Sequence, residues 1–218
     1  MFDSVSSLFE YSGHHRSILL RAKDRQDALA IAAFHDVYGF SVEARLKKTL
    51  SQNAIDLVVM PSMSIRRVAN IEWHPNDFWR HVLEKIISDD VLLSGVQIYH
   101  RFPLISRRRA LKDSRQRRDE RLLRETFHEQ ATIRDSAISH SKDANRKSIS
   151  VLFLDDVLTS GGTLLSEFEF VSANLEKILP LPRRSLGSDI SDLPPSLNAH
   201  ILTLFRTPVS TRVKGVPS

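Results

Sequence analysis

Val151-Leu-Phe-Leu-Asp-Asp-Val-Leu-Thr-Ser-Gly-Gly-Thr163 sets four apolar residues, two carboxylates and a run of hydroxyl and glycine residues in that order. The apolar run Val151 to Leu154 predicts a central parallel strand. Asp155 and Asp156 fall where that strand is expected to end, and Thr159-Ser160-Gly161-Gly162-Thr163 opens an expected helix. The fold class that follows is α/β, with a ligand site beyond the carboxyl end of the strand.

The loop has the chemistry of an anion cradle. Backbone N–H groups at a helix start converge on a phosphate together with the positive dipole end. Thr159, Ser160 and Thr163 add hydroxyl donors, while Gly161 and Gly162 remove Cβ atoms that would hold a ligand off the backbone. The loop contains no lysine, so it is not the G-x-x-x-x-G-K-[ST] nucleotide loop, and its glycine spacing does not fit G-x-G-x-x-G. Two aspartates beside a phosphate site require something polar and neutral, or a cation, between them and the anion. A ribose 5-phosphate supplies hydroxyls for the acids and phosphate for the loop. The plainer reading makes Asp155-Asp156 a strand end and Thr-Ser-Gly-Gly an ordinary turn.

The thirteen positions from Val151 to Thr163 resemble the signature of type I phosphoribosyltransferases, which bind 5-phosphoribosyl 1-pyrophosphate (PRPP). That pattern is a hydrophobic strand, two acids, two variable positions and a Thr-(Thr/Ser)-Gly-x-Thr loop. Other segments are similar to the ComF-like branch, named after a competence factor. These are Tyr11-Ser-Gly13 with Ile18-Leu-Leu-Arg-Ala-Lys23-Asp-Arg-Gln-Asp27, then Ile55-Asp-Leu-Val-Val-Met-Pro61-Ser-Met-Ser-Ile-Arg66-Arg67, and Ala199-His-Ile-Leu-Thr-Leu-Phe-Arg206-Thr207. The chain departs from that branch at Ala69 to Trp79, where an Arg-Gly-Phe-Asn-Gln stretch is usual, and it lacks the cysteine-rich segment of many members. Its counterpart of the Gln-x-x-Leu and Arg-x-x-Asn segment is reduced to Gln116 and Arg121.

The resemblance implies a mostly parallel central sheet flanked by helices, with a small N-terminal hood. It implies one domain over 1–218, divided into a helical or hood region over 1–50, a core over 51–207 and a tail over 208–218. Asp155 and Asp156 inherit contacts to the ribose 2- and 3-hydroxyls. Thr159, Ser160, Gly161, Gly162 and Thr163 inherit the 5-phosphate, and Ser62, Met63, Ser64, Arg66 and Arg67 the pyrophosphate. The implied reaction is Mg²⁺-dependent transfer of a 5-phosphoribosyl group to an acceptor the sequence does not identify. Mg²⁺ is expected on the substrate rather than on protein ligands, and a homodimer is expected by analogy. Two alternatives stay open: a non-catalytic protein of this fold in nucleic-acid handling, and a PRPP-sensing regulator.

The nucleic-acid alternative draws on charge. Of a net +5, residues 101–124 alone contribute +7, from ten Lys/Arg against Asp113, Asp119 and Glu120. Such a stripe suits nucleic acid, a lid over polyphosphate, or a solvated helix face; aromatic residues for base stacking are sparse in it. Composition bounds the rest. The 218 residues suit one sizeable α/β core. No cysteine is present, which removes disulfides and thiolate metal sites and fits a reducing cytoplasm. The first residues lack a signal pattern and no stretch has the length of a membrane span, so no membrane partner is expected.

Periodicity predicts helices over Ser17 to Phe34, Asp77 to Ile87 and Leu164 to Leu179, the last with Phe168, Val171, Leu175 and Ile178 facing the sheet. In the first, the expected buried stripe is Leu19, Leu20, Ala28, Ile31 and Ala32. Ile55 to Met60 reads as a second parallel strand and Leu92 to Tyr99 as another. A polar helix is expected over Arg107 to Gln130, a polar connection over Ser136 to Ser148, and an insertion over 180–195. The nine histidines lack metal-ligand spacing, and Trp73 and Trp79 read as packing residues rather than pocket walls.

Overall fold

In chain order the elements are β1 (Ser4–Glu10), α1 (Gly13–Arg25), α2 (Ala28–Gln52), β2 (Leu57–Val59), α3 (Pro75–Asp89), a 3-10 turn (Val91–Leu93), β3 (Gln97–Tyr99), β4 (Pro103–Leu104), β5 (Thr126–Phe127), β6 (Ser148–Leu158), α4 (Gly162–Ile178) and β7 (Ser196–Arg206). The computed structural model describes residues 2–60, 73–100, 103–104, 126–127, 148–158, 162–179 and 196–208. Five strands form one sheet in the order β1-β7-β6-β2-β3, and every pair in it is parallel. The protein is therefore α/β, with helices against a parallel sheet.

The run that begins at Val151 forms the centre of that sheet. β6 pairs with β7 from Ser148↔Ser196 to Leu158↔Arg206 and with β2 from Leu57↔Val151 to Val59↔Phe153. A parallel strand covered on both faces must be apolar at consecutive positions, and Val151 to Leu154 are all buried. Leu152 and Leu154 enter a core with α1, α2 and α3, whereas Val151 and Phe153 enter a second core with α4. In α4, Val171, Leu175 and Ile178 are buried in that core and Phe168 packs against it, as the periodicity predicts. The strand is longer than its apolar run: it continues through Leu158, so Asp155 and Asp156 lie within it rather than beyond its end.

The expected helix over Ser17 to Phe34 is two helices. Gln26 adopts the left-handed conformation (φ 52°), and Asp27 then caps α2 by accepting the Leu29 and Ala30 N–H groups at 3.0 and 3.2 Å. α2 runs on to Gln52, and its buried residues Ala30, Phe34, Tyr38, Val42, Leu46 and Leu50 fall on one i, i+4 ridge. Of the expected stripe only Leu19 is buried; Leu20 and Ile31 are half-buried and Ala28 and Ala32 exposed. Residues 2–50 are otherwise helical but open with β1, an edge strand of the main sheet. Polar contacts seat that strand: Asp3 accepts the Ala199 N–H at 2.7 Å, and the Ser7 and Thr203 hydroxyls are 2.7 Å apart.

α3 begins earlier than predicted, at Pro75, because His74 and Asp77 form a capping box and proline suits the first helical position. Its face Phe78, Trp79, Val82, Leu83 and Ile86 is buried. Trp73 and Trp79 are both buried, in keeping with packing roles, and Trp73 lies 5.2 Å from the Phe34 ring. The expected strand from Leu92 to Tyr99 is shorter, since Val91–Leu93 make a 3-10 turn and only Gln97–Tyr99 pair. Thr126–Phe127 pair antiparallel with Pro103–Leu104, so no helix passes through those two residues; the remainder of the expected helix over 107–130 lies outside the described residues. So do 136–147 and 180–195. Among the described residues no helix is long and apolar enough to cross a membrane.

Candidate functional site at the carboxyl edge of the sheet

From β2 the chain steps outward to β3, and from β6 it steps outward the other way to β7, so the strand order reverses between neighbours β2 and β6. In open α/β sheets a crevice forms at such a reversal, at the carboxyl ends of the strands. The ends that meet there are Met60, Asp155 to Leu158, and the start of α4 at Gly162. The first turn of α4 holds no acidic residue, which leaves its positive end uncompensated by its own side chains.

Asp155 and Asp156 sit side by side, each accepting the next backbone N–H along the strand: Asp156 N–H to Asp155 Oδ1 at 2.8 Å, and Val157 N–H to Asp156 Oδ1 at 3.0 Å. Their surroundings differ. The second oxygen of Asp156 accepts a hydrogen bond from the Lys23 ammonium, which reaches it from the last turn of α1. Both side chains are well shielded, at 20% exposure for Lys23 and 13% for Asp156. Burial works to raise the Asp156 pKa, but the charge and hydrogen bond of Lys23 outweigh it, so the group sits below the ordinary carboxylate range. Asp155 keeps partial solvent contact yet is hemmed in by protein. Burial, reinforced by the adjacent Asp156 charge, pushes its pKa well up.

A polar chain continues toward β3. His74, buried at the start of α3, accepts the Asn76 N–H through Nδ1 at 3.2 Å, and the Asn76 side-chain amide lies 2.9 Å from His100 Nε2. Burial, with lesser contributions from Arg80 and His74, lowers the His100 pKa to about 4, so the ring is neutral at physiological pH. The α1–α2 corner joins these elements. The Gln26 carboxamide accepts the Trp73 N–H at 2.7 Å and donates to the Trp73 carbonyl at 3.0 Å. An open cleft of about 530 Å³ lies elsewhere, lined by Ser7, Leu8, Phe9, Glu10, Arg206 and Pro208, and includes neither member of the acid pair.

Of the residues singled out in the sequence, Asp155 and Asp156 stand near the carboxyl end of β6, and the backbone of Gly162 and Thr163 forms the first turn of α4. Thr159, Ser160, Gly161, Ser62, Met63, Ser64, Arg66 and Arg67 lie outside the described residues. Lys23 and Gln26 lie in the Ile18 to Asp27 segment that carries part of the resemblance, but sequence reasoning assigned neither a role in the site. Lys23 stands 133 positions from its partner, a distance over which no local pattern signals contact. No protein-family model matches the chain, and no curated protein matches it.

Proposed function

We propose that this protein has the type I phosphoribosyltransferase fold, in a ComF-like form, and that it transfers a 5-phosphoribosyl group from PRPP to an acceptor with release of pyrophosphate. The observation that carries this reading is the acid pair in the carboxyl-terminal part of β6, beside the strand-order reversal, with a helix beginning at Gly162 a few residues further on. Asp155 and Asp156 hold the ribose 2- and 3-hydroxyls. The 159–163 loop takes the 5-phosphate on backbone N–H groups and hydroxyls. Ser62 to Ser64, Arg66 and Arg67 take the pyrophosphate. The bond from C1 to the pyrophosphate oxygen breaks, its electron pair leaving with pyrophosphate, and the acceptor nucleophile bonds to C1, the sugar having oxocarbenium character in the transition state. Ionised Asp156 opposes that positive charge, and the two acids hold the ribose so that C1 faces the acceptor.

Among the described residues no group of three His, Asp or Glu side chains converges on one point. Mg²⁺ would accompany the PRPP, as the resemblance implies. The cation would neutralise charge on the leaving pyrophosphate.

Calorimetry with PRPP and Mg²⁺ tests binding, and pyrophosphate release in the presence of bases, amines and ammonia tests transfer. Binding with no release for any acceptor would make the protein a PRPP sensor. Salt-dependent binding of DNA or RNA without PRPP binding would replace the reading altogether.

A further inference from the structure

We propose that Lys23 is a positioning residue of this site: its ammonium keeps Asp156 a permanent hydrogen-bond acceptor for a ligand diol, from a corner that Gln26 locks in place. The inference rests on the preceding reading that the acid pair receives ribose hydroxyls.

Two adjacent carboxylates in a shielded site cannot both ionise cheaply, so some feature must decide which one carries the charge. Among the described residues the groups that face Asp156 are Lys23 from α1, His74 from the start of α3 and Asp155 from its own strand. Of these it is Lys23 that forms a hydrogen-bonded ion pair with Asp156, touching the oxygen that the Val157 N–H does not occupy. A shielded ion pair contributes little to net stability compared with an apolar pair of similar size, so stability alone is a poor reason for having one. It does fix which of two neighbours is the anion. An ionised carboxylate accepts from a sugar hydroxyl in a charge-assisted hydrogen bond, stronger than one made by a neutral acid.

The reach of Lys23 is set by its corner. Gln26 holds a left-handed backbone conformation that costs a non-glycine residue energy, and its carboxamide offsets that cost. It donates to the Lys23 carbonyl at 2.9 Å and makes the two bonds to Trp73, so the end of α1 is tied to the segment that leads into α3. Lys23 thus projects from a point fixed against both the entry to α3 and β6.

The test combines carbon-detected NMR titration of the Asp155 and Asp156 carboxyls with calorimetry of Mg²⁺·PRPP across pH, in the unmodified protein, Lys23→Arg and Lys23→Met. The unmodified protein is expected to show Asp156 titrating below Asp155. In Lys23→Met the Asp156 midpoint rises, affinity at neutral pH falls by about tenfold for each pH unit by which that midpoint comes to exceed the pH, and raising the pH recovers it. Lys23→Arg restores most of both. A folded Lys23→Met protein with an unmoved Asp156 midpoint, or with unchanged affinity and pH profile, overturns the proposal. So does an Asp156 midpoint above that of Asp155 in the unmodified protein, a result that needs no variant to fold. Failure of the unmodified protein to bind PRPP would sink the phosphoribosyl reading, while the carboxyl titrations would still decide the role of Lys23.

Discussion

The Asp156 side of the acid pair and the Asp155 side lie one residue apart on β6, yet they treat a negative charge in opposite ways. On the first, an ammonium delivered by α1 overrides the cost of burial and keeps the carboxylate ionised. On the second, burial and the neighbouring charge outweigh the opposing pull of the Asp156 N–H and of the more distant Lys23 charge, so the carboxyl holds its proton into a higher pH range. The difference shows that the chemistry of a strand end is set by what other elements bring to it. An Asp-Asp dipeptide read alone looks symmetric; folded, it offers one fixed acceptor and one group that can also donate.

Substitution separates the two sides most strongly. Asp156→Ala leaves the shielded Lys23 ammonium without its partner and should destabilise the fold by about 3 kcal/mol or more in chemical denaturation. Asp155→Asn removes a carboxyl that the fold disfavours in its charged form and should be neutral or stabilising at pH 7. Equal losses for both would break the comparison.

The pH dependence of stability sharpens it next. The folded pKa of Asp155 is raised, so its contribution is fully present below pH 3.8 and is lost as pH rises through the folded value. His100 acts in the opposite sense. Its folded pKa is lowered from 6.5 to about 4, so the unfolded chain binds more protons between those values and stability falls as pH drops through that window. The full effect of His100 is about 3 kcal/mol. Denaturation curves from pH 4 to 8 should lose the acid-side slope in His100→Gln and the opposing slope in Asp155→Asn.

The smallest expected effect concerns the corner that serves the Asp156 side. Gln26→Ala gives up both bonds to Trp73 and should cost about 1 to 2 kcal/mol. Gln26→Gly should cost less by about 1 kcal/mol, because glycine accepts a positive φ without penalty. A larger loss for glycine than for alanine would mean that the φ of 52° at Gln26 carries no strain.

Much of this arrangement was legible in the sequence, for reasons particular to each element. β6 and α4 announce themselves because a doubly covered strand must be uniformly apolar and a helix against it must repeat its apolar residues at Val171, Leu175 and Ile178. The acid pair followed from that strand. β1 escaped because it is Ser-rich and only half-buried: it pairs with β7 through its backbone, and Ser4 and Ser7 face His200 and Thr203 there in place of an apolar alternation. The break at Gln26 escaped because a left-handed glutamine is unusual. The Lys23–Asp156 pair was out of reach, since it exists only after α1 has folded back over the carboxyl edge of the sheet.

The central claim is that the acid pair binds the ribose of PRPP, and calorimetry of Mg²⁺·PRPP against the unmodified protein and Asp155→Asn/Asp156→Asn tests it most directly. The account predicts saturable binding to the unmodified protein and its loss in a double variant that remains folded by circular dichroism. No binding to the unmodified protein, or equal affinity in the folded double variant, would contradict it.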